Sequence, residues 1–196
     1  MRKLWLCVPM MTLLLLTACG SGRQGGGEAE QLALLIRGEY LEMTSCAATA
    51  EITADYGQRV YQYTMGVEVN GEETVLTLTA PETVAGITAR LKEKDSLLEY
   101  DGVVVETGPM DGEGLTPVSS IPVLLEEAKS GYIRSCSLEE DGALLRVDCG
   151  DPEGEPGRGR EITLWFEADT HALSRGEVKL DGFRAVLCQF QEFTKE

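Results

Sequence analysis

Apolar side chains near the start of the chain recur with the period of a helix. From Glu28 to about Met43 they are spaced three and four residues apart, as expected for a helix with one buried face. The predicted face consists of Leu32, Leu35, Ile36, Tyr40 and Met43. Gly38 makes this helix less stable than alanine would, by about 1 kcal/mol. Packing against the rest of the domain must therefore stabilise it.

Beyond residue 47 apolar and polar residues alternate, which is the period of strands with one buried face. The alternation predicts strands at about 47 to 55, 59 to 69, 72 to 80, 84 to 91, 96 to 100, 103 to 107, 132 to 140, 143 to 149, 160 to 167, 173 to 180 and 183 to 193. An antiparallel sheet of roughly ten or eleven strands must curl.

One further helix interrupts the strands near Ile121 to Ser130. Its start and end are indicated by Ser119 or Ser120 as N-cap, Pro122 in the first turn and Gly131 as the stop. Its predicted buried face consists of Ile121, Leu124, Leu125 and Ala128. The predicted fold class is α+β and mostly β: a strongly curved antiparallel sheet wrapped around one long N-terminal helix and one short helix.

Three dipeptides predict tight hairpin turns. With Asn70 and Gly71 as the two turn residues, Tyr61, Tyr63 and Met65 lie opposite Ala80, Leu78 and Leu76. The turn at Asp101 and Gly102 places Tyr100 opposite Val103 and Leu98 opposite Val105. The turn at Asp181 and Gly182 places Leu180 opposite Phe183 and Val178 opposite Ala185. In each hairpin both strands then present apolar side chains to one face.

The first 18 residues are typical of a bacterial lipoprotein signal peptide. Basic residues Arg2 and Lys3 precede an apolar run from Leu4 to Leu16, which is too short for a permanent membrane span. The motif Leu16-Thr17-Ala18-Cys19 resembles a lipobox, where a diacylglycerol is attached to the cysteine and the chain is cut before it. Two acyl chains suffice for stable anchoring. We therefore expect the mature protein to begin at Cys19 and to be held at the extracytoplasmic face of a cell membrane, or of an outer membrane if the host has one.

The remaining chain divides into a tether and one domain. Residues 19–27 contain the lipidated cysteine and a glycine-rich stretch that is typical of a flexible linker. Residues 28–196 suit a single domain of ordinary size.

The net charge narrows the possible partners. The chain has 17 Lys and Arg against 33 Asp and Glu, and removal of Arg2 and Lys3 leaves 15 minus 33, or −18. Such a surface repels phosphate backbones, so nucleic acid is a poor partner.

Four cysteines remain in the predicted domain. An exported protein with an even number of cysteines can form disulfides, here two with three possible connectivities. A four-residue loop from Asp141 to Leu144 would place Cys136 opposite Cys149, which leaves Cys46 to pair with Cys188. Four reduced, buried thiols are the alternative.

Candidates for catalysis or metal binding are few. His171, the only histidine in the chain, lies between two predicted strands and is better explained as a solvated loop residue than as a catalytic base. Asp151, Glu153 and Glu155 alternate in a loop but do not match a calcium-binding loop. No metal-ligand or nucleophile motif is present. We therefore predict a non-enzymatic protein without a cofactor.

The order of elements resembles the fold of the lipoprotein-localisation carriers and receptors LolA and LolB, and of the germination lipoprotein GerS of spore-formers. The likeness covers most of the mature chain. The segments that carry it are Leu76-Thr77-Leu78-Thr79-Ala80-Pro81, Leu97-Leu98-Glu99-Tyr100-Asp101-Gly102, Leu115-Thr116-Pro117, Leu164-Trp165-Phe166-Glu167 and Glu177-Val178-Lys179-Leu180-Asp181-Gly182. The resemblance implies an open half-barrel whose concave side, in the carriers, receives acyl chains.

Two functions follow as hypotheses. The first is binding of a lipid acyl chain or a lipidated partner on the concave face. The candidate ligand-binding residues are Tyr61, Tyr63, Met65, Leu76, Leu78, Leu98 and Tyr100. The same residues are also explained by a packed core under the helices. The second hypothesis is a protein-binding scaffold or regulator of an envelope or spore-cortex enzyme, by analogy of fold alone.

Overall fold

The computed structural model describes residues 24–92, 95–110 and 112–196, so the signal peptide and Cys19 lie outside the described residues. Within these ranges the chain forms two α-helices and eleven strands. The helices are α1 (Gln24–Glu42) and α2 (Pro117–Ser130). The strands are β1 (Ser45–Asp55), β2 (Val60–Asn70), β3 (Glu73–Ala80), β4 (Thr88–Lys92), β5 (Asp95–Tyr100), β6 (Val103–Glu106), β7 (Ile133–Glu139), β8 (Leu144–Gly150), β9 (Arg160–Glu167), β10 (Leu173–Leu180) and β11 (Phe183–Lys195).

All eleven described strands belong to one open antiparallel sheet in the order β6-β5-β4-β3-β2-β1-β11-β10-β9-β8-β7. Two meanders, β2 to β6 and β7 to β11, meet where β1 pairs with β11. The Thr44 N–H donates to the Glu196 carbonyl over 2.7 Å at this junction. The predicted fold class, a sheet of this size with one long and one short helix, is confirmed.

Both helices pack on the same half of the sheet. α1 contacts β7, β8 and α2, whereas α2 contacts β9, β10, β11 and β1. Beneath them lies a core that includes Ile36, Leu124, Leu145, Leu164 and Val178. The meander β2 to β6 therefore extends beyond the helices.

Helix α1 begins at Gln24, four residues before the predicted start and within the segment predicted as a tether. Its buried residues are Ala29, Ala33, Ile36 and Tyr40, and Met43 directly after the helix is also buried. The prediction that Leu35 belongs to this face is wrong, because Leu35 is exposed. The small side chains of Ala29 and Ala33 continue the buried stripe instead, since they lie seven and three residues before Ile36.

Helix α2 has the predicted buried face and the predicted stop at Gly131, but its N-cap is Thr116. The Thr116 hydroxyl accepts a hydrogen bond from the Ser119 N–H over 3.1 Å, and the Ser119 hydroxyl accepts one from the Thr116 N–H over 3.1 Å. Ser119 is thus the third residue of a capping box, not the cap. Pro122 consequently lies inside the helix.

The predicted hairpin registers are partly confirmed. The register of β5 with β6 is correct, with Tyr100 opposite Val103 and Leu98 opposite Val105. Between β10 and β11 Leu180 lies opposite Phe183 as predicted, but a bulge then places Val178 opposite Val186 instead of Ala185. A bulge inserts one extra residue into one strand and so shifts the pairing beyond it.

The predicted register of β2 with β3 is wrong by two residues. Asn70 pairs with Glu73, so Met65 lies opposite Leu78 and Val67 opposite Leu76. Asn70 also pairs with Ser45 of β1 and is therefore a strand residue, not a turn residue. A two-residue shift keeps every side chain on its predicted face, so alternation alone cannot detect it.

The predicted disulfides are absent, and all four cysteines of the domain are free. The loop after β7 begins one residue earlier in the chain than predicted, so Glu139 pairs with Leu144. Cys136 therefore lies opposite Val147 and not opposite Cys149. Cys149 lies opposite Ile133. Cys46 and Cys188 lie on neighbouring strands but are paired with other residues: Cys46 with Lys195, and Cys188 with Ile52.

Candidate apolar binding surface

The inner face of the sheet changes from buried to exposed toward β6. One row of cross-strand neighbours runs from Val67 through Leu76, Ala89 and Leu98 to Val105. Directly paired residues point to the same face of a sheet. Val67, Leu76 and Ala89 are buried, whereas Leu98 and Val105 are exposed. Along this row, burial thus ends between β4 and β5.

The seven candidate ligand-binding residues divide along this boundary. Met65, Leu76 and Leu78 are buried in the core. Tyr63 is partly buried and packs against that core. Tyr61, Leu98 and Tyr100 are exposed. The packed-core explanation holds for the first three residues, and four of the seven remain candidates for a surface site.

Two valines that the candidate site did not include belong to the same surface. Val103 is paired with Tyr100 and Val105 with Leu98, so both valines face the concave side. Both are more than half exposed. We call Tyr61, Tyr63, Leu98, Tyr100, Val103 and Val105 the concave apolar surface. The hairpin register already predicted the orientation of the valines, but it gave no information about their exposure.

Aromatic contacts arrange the tyrosine end of this surface. The ring centroids of Tyr61 and Tyr63 lie 6.4 Å apart and those of Tyr56 and Tyr61 lie 6.0 Å apart. Tyr100 lies over the β3–β4 loop, where a Cβ added to Gly86 would be 3.8 Å from its ring. Gly86 also has a positive φ of 89°, which suits glycine.

The segment between β6 and α2 covers the adjoining buried part of the concave face. Met110 and Leu115 of this segment pack against the core. The Tyr56 hydroxyl donates to the Leu115 carbonyl over 3.4 Å, and an Arg160 guanidinium N–H donates to the Gly112 carbonyl over 2.9 Å. These bonds connect the segment to both halves of the sheet.

A cleft of about 380 Å³ opens at the other end of the same strands. Its apolar lining consists of Leu91, Met110, Pro122 and Val123, with the buried polar residues Thr74 and Ser96 on the sheet. Its charged lining consists of Glu72, Lys92, Asp95, Glu126, Glu127 and Arg160. This volume lies within the range of small-molecule sites.

His171 is not the solvated loop residue that was predicted. Its Nδ1 lies 2.7 Å from Glu39 Oε1, and Lys195 Nζ lies 2.5 Å from Glu39 Oε2. The Tyr40 hydroxyl donates to the His171 carbonyl and accepts from the Leu173 N–H. His171 thus joins the end of α1 to the β9–β10 turn. The sequence lacked a local signal for this contact, because the partners are more than 130 residues apart.

Burial makes the thiols of Cys46, Cys149 and Cys188 less acidic than an exposed cysteine thiol. It raises the pKa of Cys46 to about 11 and the pKa values of Cys149 and Cys188 to about 12. A raised thiol pKa lowers the fraction of reactive thiolate at neutral pH. The buried cysteines therefore have the character of core residues.

Among the described residues no group of three or more His, Cys, Asp or Glu side chains is arranged to hold a metal ion. The acidic loop after β8 is internally bonded: Asp151 Oδ1 accepts from the Glu153 N–H over 2.9 Å, and Arg158 lies 3.4 Å from Glu155. None of the described helices combines the length and the apolar character needed to cross a membrane.

No protein-family model and no curated protein matches the sequence. Among solved structures, LprF from Mycobacterium bovis is similar at 17% identity, with 86% of this chain and 94% of that chain covered and a TM-score of 0.50. The LolA superfamily protein NE2245 from Nitrosomonas europaea is 10% identical over 86% and 93%, with a TM-score of 0.45. The structure of the CwlD amidase from Clostridioides difficile in complex with the GerS lipoprotein contains a chain that is 16% identical over 85% and 95%, with a TM-score of 0.49.

At 17% identity the likeness to LprF is informative about architecture and not about activity. The fold expected from the sequence is confirmed by the single open sheet, its strand order and the two helices on its concave side. The chain has a LolA-like half-barrel fold.

Proposed function

We propose that this protein is a lipid-anchored, non-enzymatic protein of the cell envelope that binds an acyl chain on the concave apolar surface. The acyl chain belongs to a lipid or to a lipidated partner. One observation carries the proposal. The cross-strand row that begins with the buried Val67, Leu76 and Ala89 continues into Leu98 and Val105, which face the same side of the sheet and are exposed. Contiguous exposed apolar surface on a folded domain is typical of a binding site.

The chemistry of the surface suits a hydrocarbon ligand. Its six members have no charged group, and its three tyrosines combine an apolar ring with a hydroxyl that tolerates water. Each methylene of a ligand that leaves water contributes about 0.8 kcal/mol. An acyl chain with about ten buried methylenes would gain about 8 kcal/mol before the cost of association, which is enough for specific binding.

The location is proposed from the sequence motif. A diacyl anchor on Cys19 would keep the domain at the membrane surface, where acyl-chain ligands are concentrated. The adjacent cleft between α2 and β3 to β5 supports the proposal, because Leu91, Met110, Pro122 and Val123 give it an apolar wall.

Mass spectrometry tests ligand binding directly. Residues 24–196 are exported behind a cleavable signal peptide, purified gently and weighed under native and then denaturing conditions. We expect a stoichiometric lipid in the native spectrum that dissociates on denaturation. A protein at its calculated mass that also fails to bind a fluorescent fatty acid would contradict the proposal.

Two neighbouring valines provide a matched pair of variants. Val104 and Val105 are 57% and 53% exposed but lie on opposite faces of β6. We expect Val105→Asp to weaken fatty-acid binding at least about tenfold, since a carboxylate would contact the hydrocarbon. Val104→Asp should change it less than about twofold. Equal losses in both variants would show that the concave face is not the site.

A protein-binding scaffold is the second candidate function. The described sheet ends at β6, and all four residues of this edge strand, Val103–Glu106, are exposed. An open edge strand can pair with a strand of another protein. For this function Val104→Asp should reduce capture of a protein partner while leaving fatty-acid binding unchanged. Capture that survives Val104→Asp would exclude this edge.

A further inference from the structure

Helix α1 has a second apolar face that the fold does not use. Leu34 and Leu41 are 64% and 61% exposed, and Leu35 beside them is also exposed. Leu34, Gly38 and Leu41 are spaced four and three residues apart and therefore form one stripe along the helix. A Cβ added to Gly38 would meet nothing within 4 Å, so the stripe is open to its surroundings.

The charged residues in the middle of α1 are bonded to the rest of the protein. An Arg37 guanidinium N–H donates to the Gly131 carbonyl at the end of α2 over 2.5 Å. Glu39 is bonded to His171 and Lys195. The exposed carboxylates Glu30 and Glu42 lie near the two ends of the stripe. A helix with one face on the core and a separate leucine face outside needs a second apolar neighbour.

The position of α1 in the chain identifies that neighbour. Gln24, the first residue of α1, is five residues after Cys19, and five residues span at most about 17 Å. A diacyl anchor on Cys19 would therefore hold the start of α1 close to the bilayer. A second copy of the chain is a poorer neighbour, because pairing two α1 helices would bring Glu30 and Glu42 of both copies together.

We propose that α1 lies along the membrane surface, with Leu34, Leu35 and Leu41 inserted among the upper acyl chains of the leaflet. This inference rests on the proposed anchor but not on acyl-chain binding by the concave apolar surface. A helix in this position buries its leucine face at the boundary between headgroups and acyl chains. The acidic domain favours a zwitterionic lipid surface over an anionic one.

Tryptophan quenching in vesicles tests the orientation. The full chain is produced in its lipidated form and reconstituted in phosphatidylcholine vesicles whose acyl chains are brominated near the headgroup. Leu34→Trp and Leu41→Trp are compared with Phe183→Trp, a matched control at an exposed position in the β10–β11 hairpin. The native Trp165 is buried and gives a constant background.

We expect the bromolipid to quench at least about half of the added emission in Leu34→Trp and Leu41→Trp and to leave Phe183→Trp unchanged. If the protein floats with the vesicles but the emission from residues 34 and 41 is not quenched, the anchor stands and this inference is wrong. The leucine face would then contact water or a second copy of the chain. A chain that fails to float would contradict the anchor and, with it, this inference. Neither result bears on fatty-acid binding, which is measured separately.

Discussion

Glu39 is a single carboxylate that connects three parts of the chain. It lies near the end of α1, accepts a hydrogen bond from Lys195 at the end of β11 and contacts His171 in the β9–β10 turn. Partial burial opposes ionisation of Glu39, but the hydrogen bonds from Lys195 and His171 outweigh it and lower the pKa of this carboxyl below its ordinary value of 4.5. The ionised form of Glu39 is therefore more stable in the folded protein than in the unfolded chain.

The effect of Glu39→Gln on the free energy of unfolding should therefore depend on pH. A lowered folded-state pKa stabilises the fold above pH 4.5, and that contribution is lost as the pH falls through the folded-state pKa. We expect Glu39→Gln to lower the free energy of unfolding at pH 7 by no more than about 1 kcal/mol, because solvent screens this partly exposed group. The difference from wild type should shrink below pH 4.5. Urea unfolding between pH 3 and pH 8 measures both values.

Glu42→Gln is the matched control, since Glu42 lies on the exposed side of the same helix. It should have a smaller effect at pH 7. A Glu39→Gln defect that is independent of pH would show that the carboxylate acts through its shape and not through its charge.

At the scale of single elements, the packing of α2 on β10 depends on one glycine. A Cβ added to Gly176 would lie 2.6 Å from Leu124 Cδ1 and 2.8 Å from Leu124 Cδ2. Leu124 is fully buried, so it has little room to move away. Gly176 thus allows the helix to approach the strand closely.

Gly176→Ala should lower the free energy of unfolding by about 1 to 3 kcal/mol, the usual cost of overpacking a core. Gly66→Ala is the control, because a Cβ at this other strand glycine would be 4.0 Å from its nearest neighbour, the Thr77 carbonyl oxygen. Urea denaturation should show a lower midpoint for Gly176→Ala with an unchanged slope. Equal stability of the two variants would mean that α2 shifts without cost.

The sequence predicted the elements better than their registers. All eleven strands were found from alternation, because a period of two is a local property. The two-residue errors at Asn70 and at Cys136 arose because such shifts leave every side chain on the same face. At Asn70 the correct register is indicated by its pairing with Ser45 of β1, a contact between distant parts of the chain.

For the candidate site, too, the sequence pattern predicted which face a residue lies on but not what packs against that face. The sequence placed the seven candidate residues on one face, but alternation is the same for a core and for a cleft. Met65 belongs to the packed core and Tyr100 does not, and this difference depends on which distant segments of the chain pack over each strand. The exposed leucine face of α1 was likewise hidden in the sequence, since an apolar residue at helical spacing is normally assigned to the core.

On the scale of the whole molecule, the β5–β6 end of the sheet is covered less than its centre and its β7 end. The Glu196 N–H donates to the Ser45 carbonyl over 3.0 Å, so the last residue is bound beside the first strand in the middle of the sheet. The helices add a second layer over β7 to β11 and β1, whereas β5 and β6 lack such a layer among the described elements. Elements with few buried apolar contacts open at a lower free energy than the global unfolding free energy.

Hydrogen exchange should therefore separate two hairpins of the same sheet. The β5–β6 hairpin has the exposed pair Leu98 and Val105, whereas the β9–β10 hairpin has the buried pair Leu164 and Gly176. We expect the β5–β6 amides to exchange at least about 100-fold faster, through local opening. A saturating fatty acid should slow exchange in β5–β6 and leave β9–β10 unchanged, because a ligand stabilises the region that it binds. Equal protection of both hairpins without ligand would contradict the proposed weak edge, and a fatty acid that protects only β9–β10 would move the binding site away from the concave apolar surface.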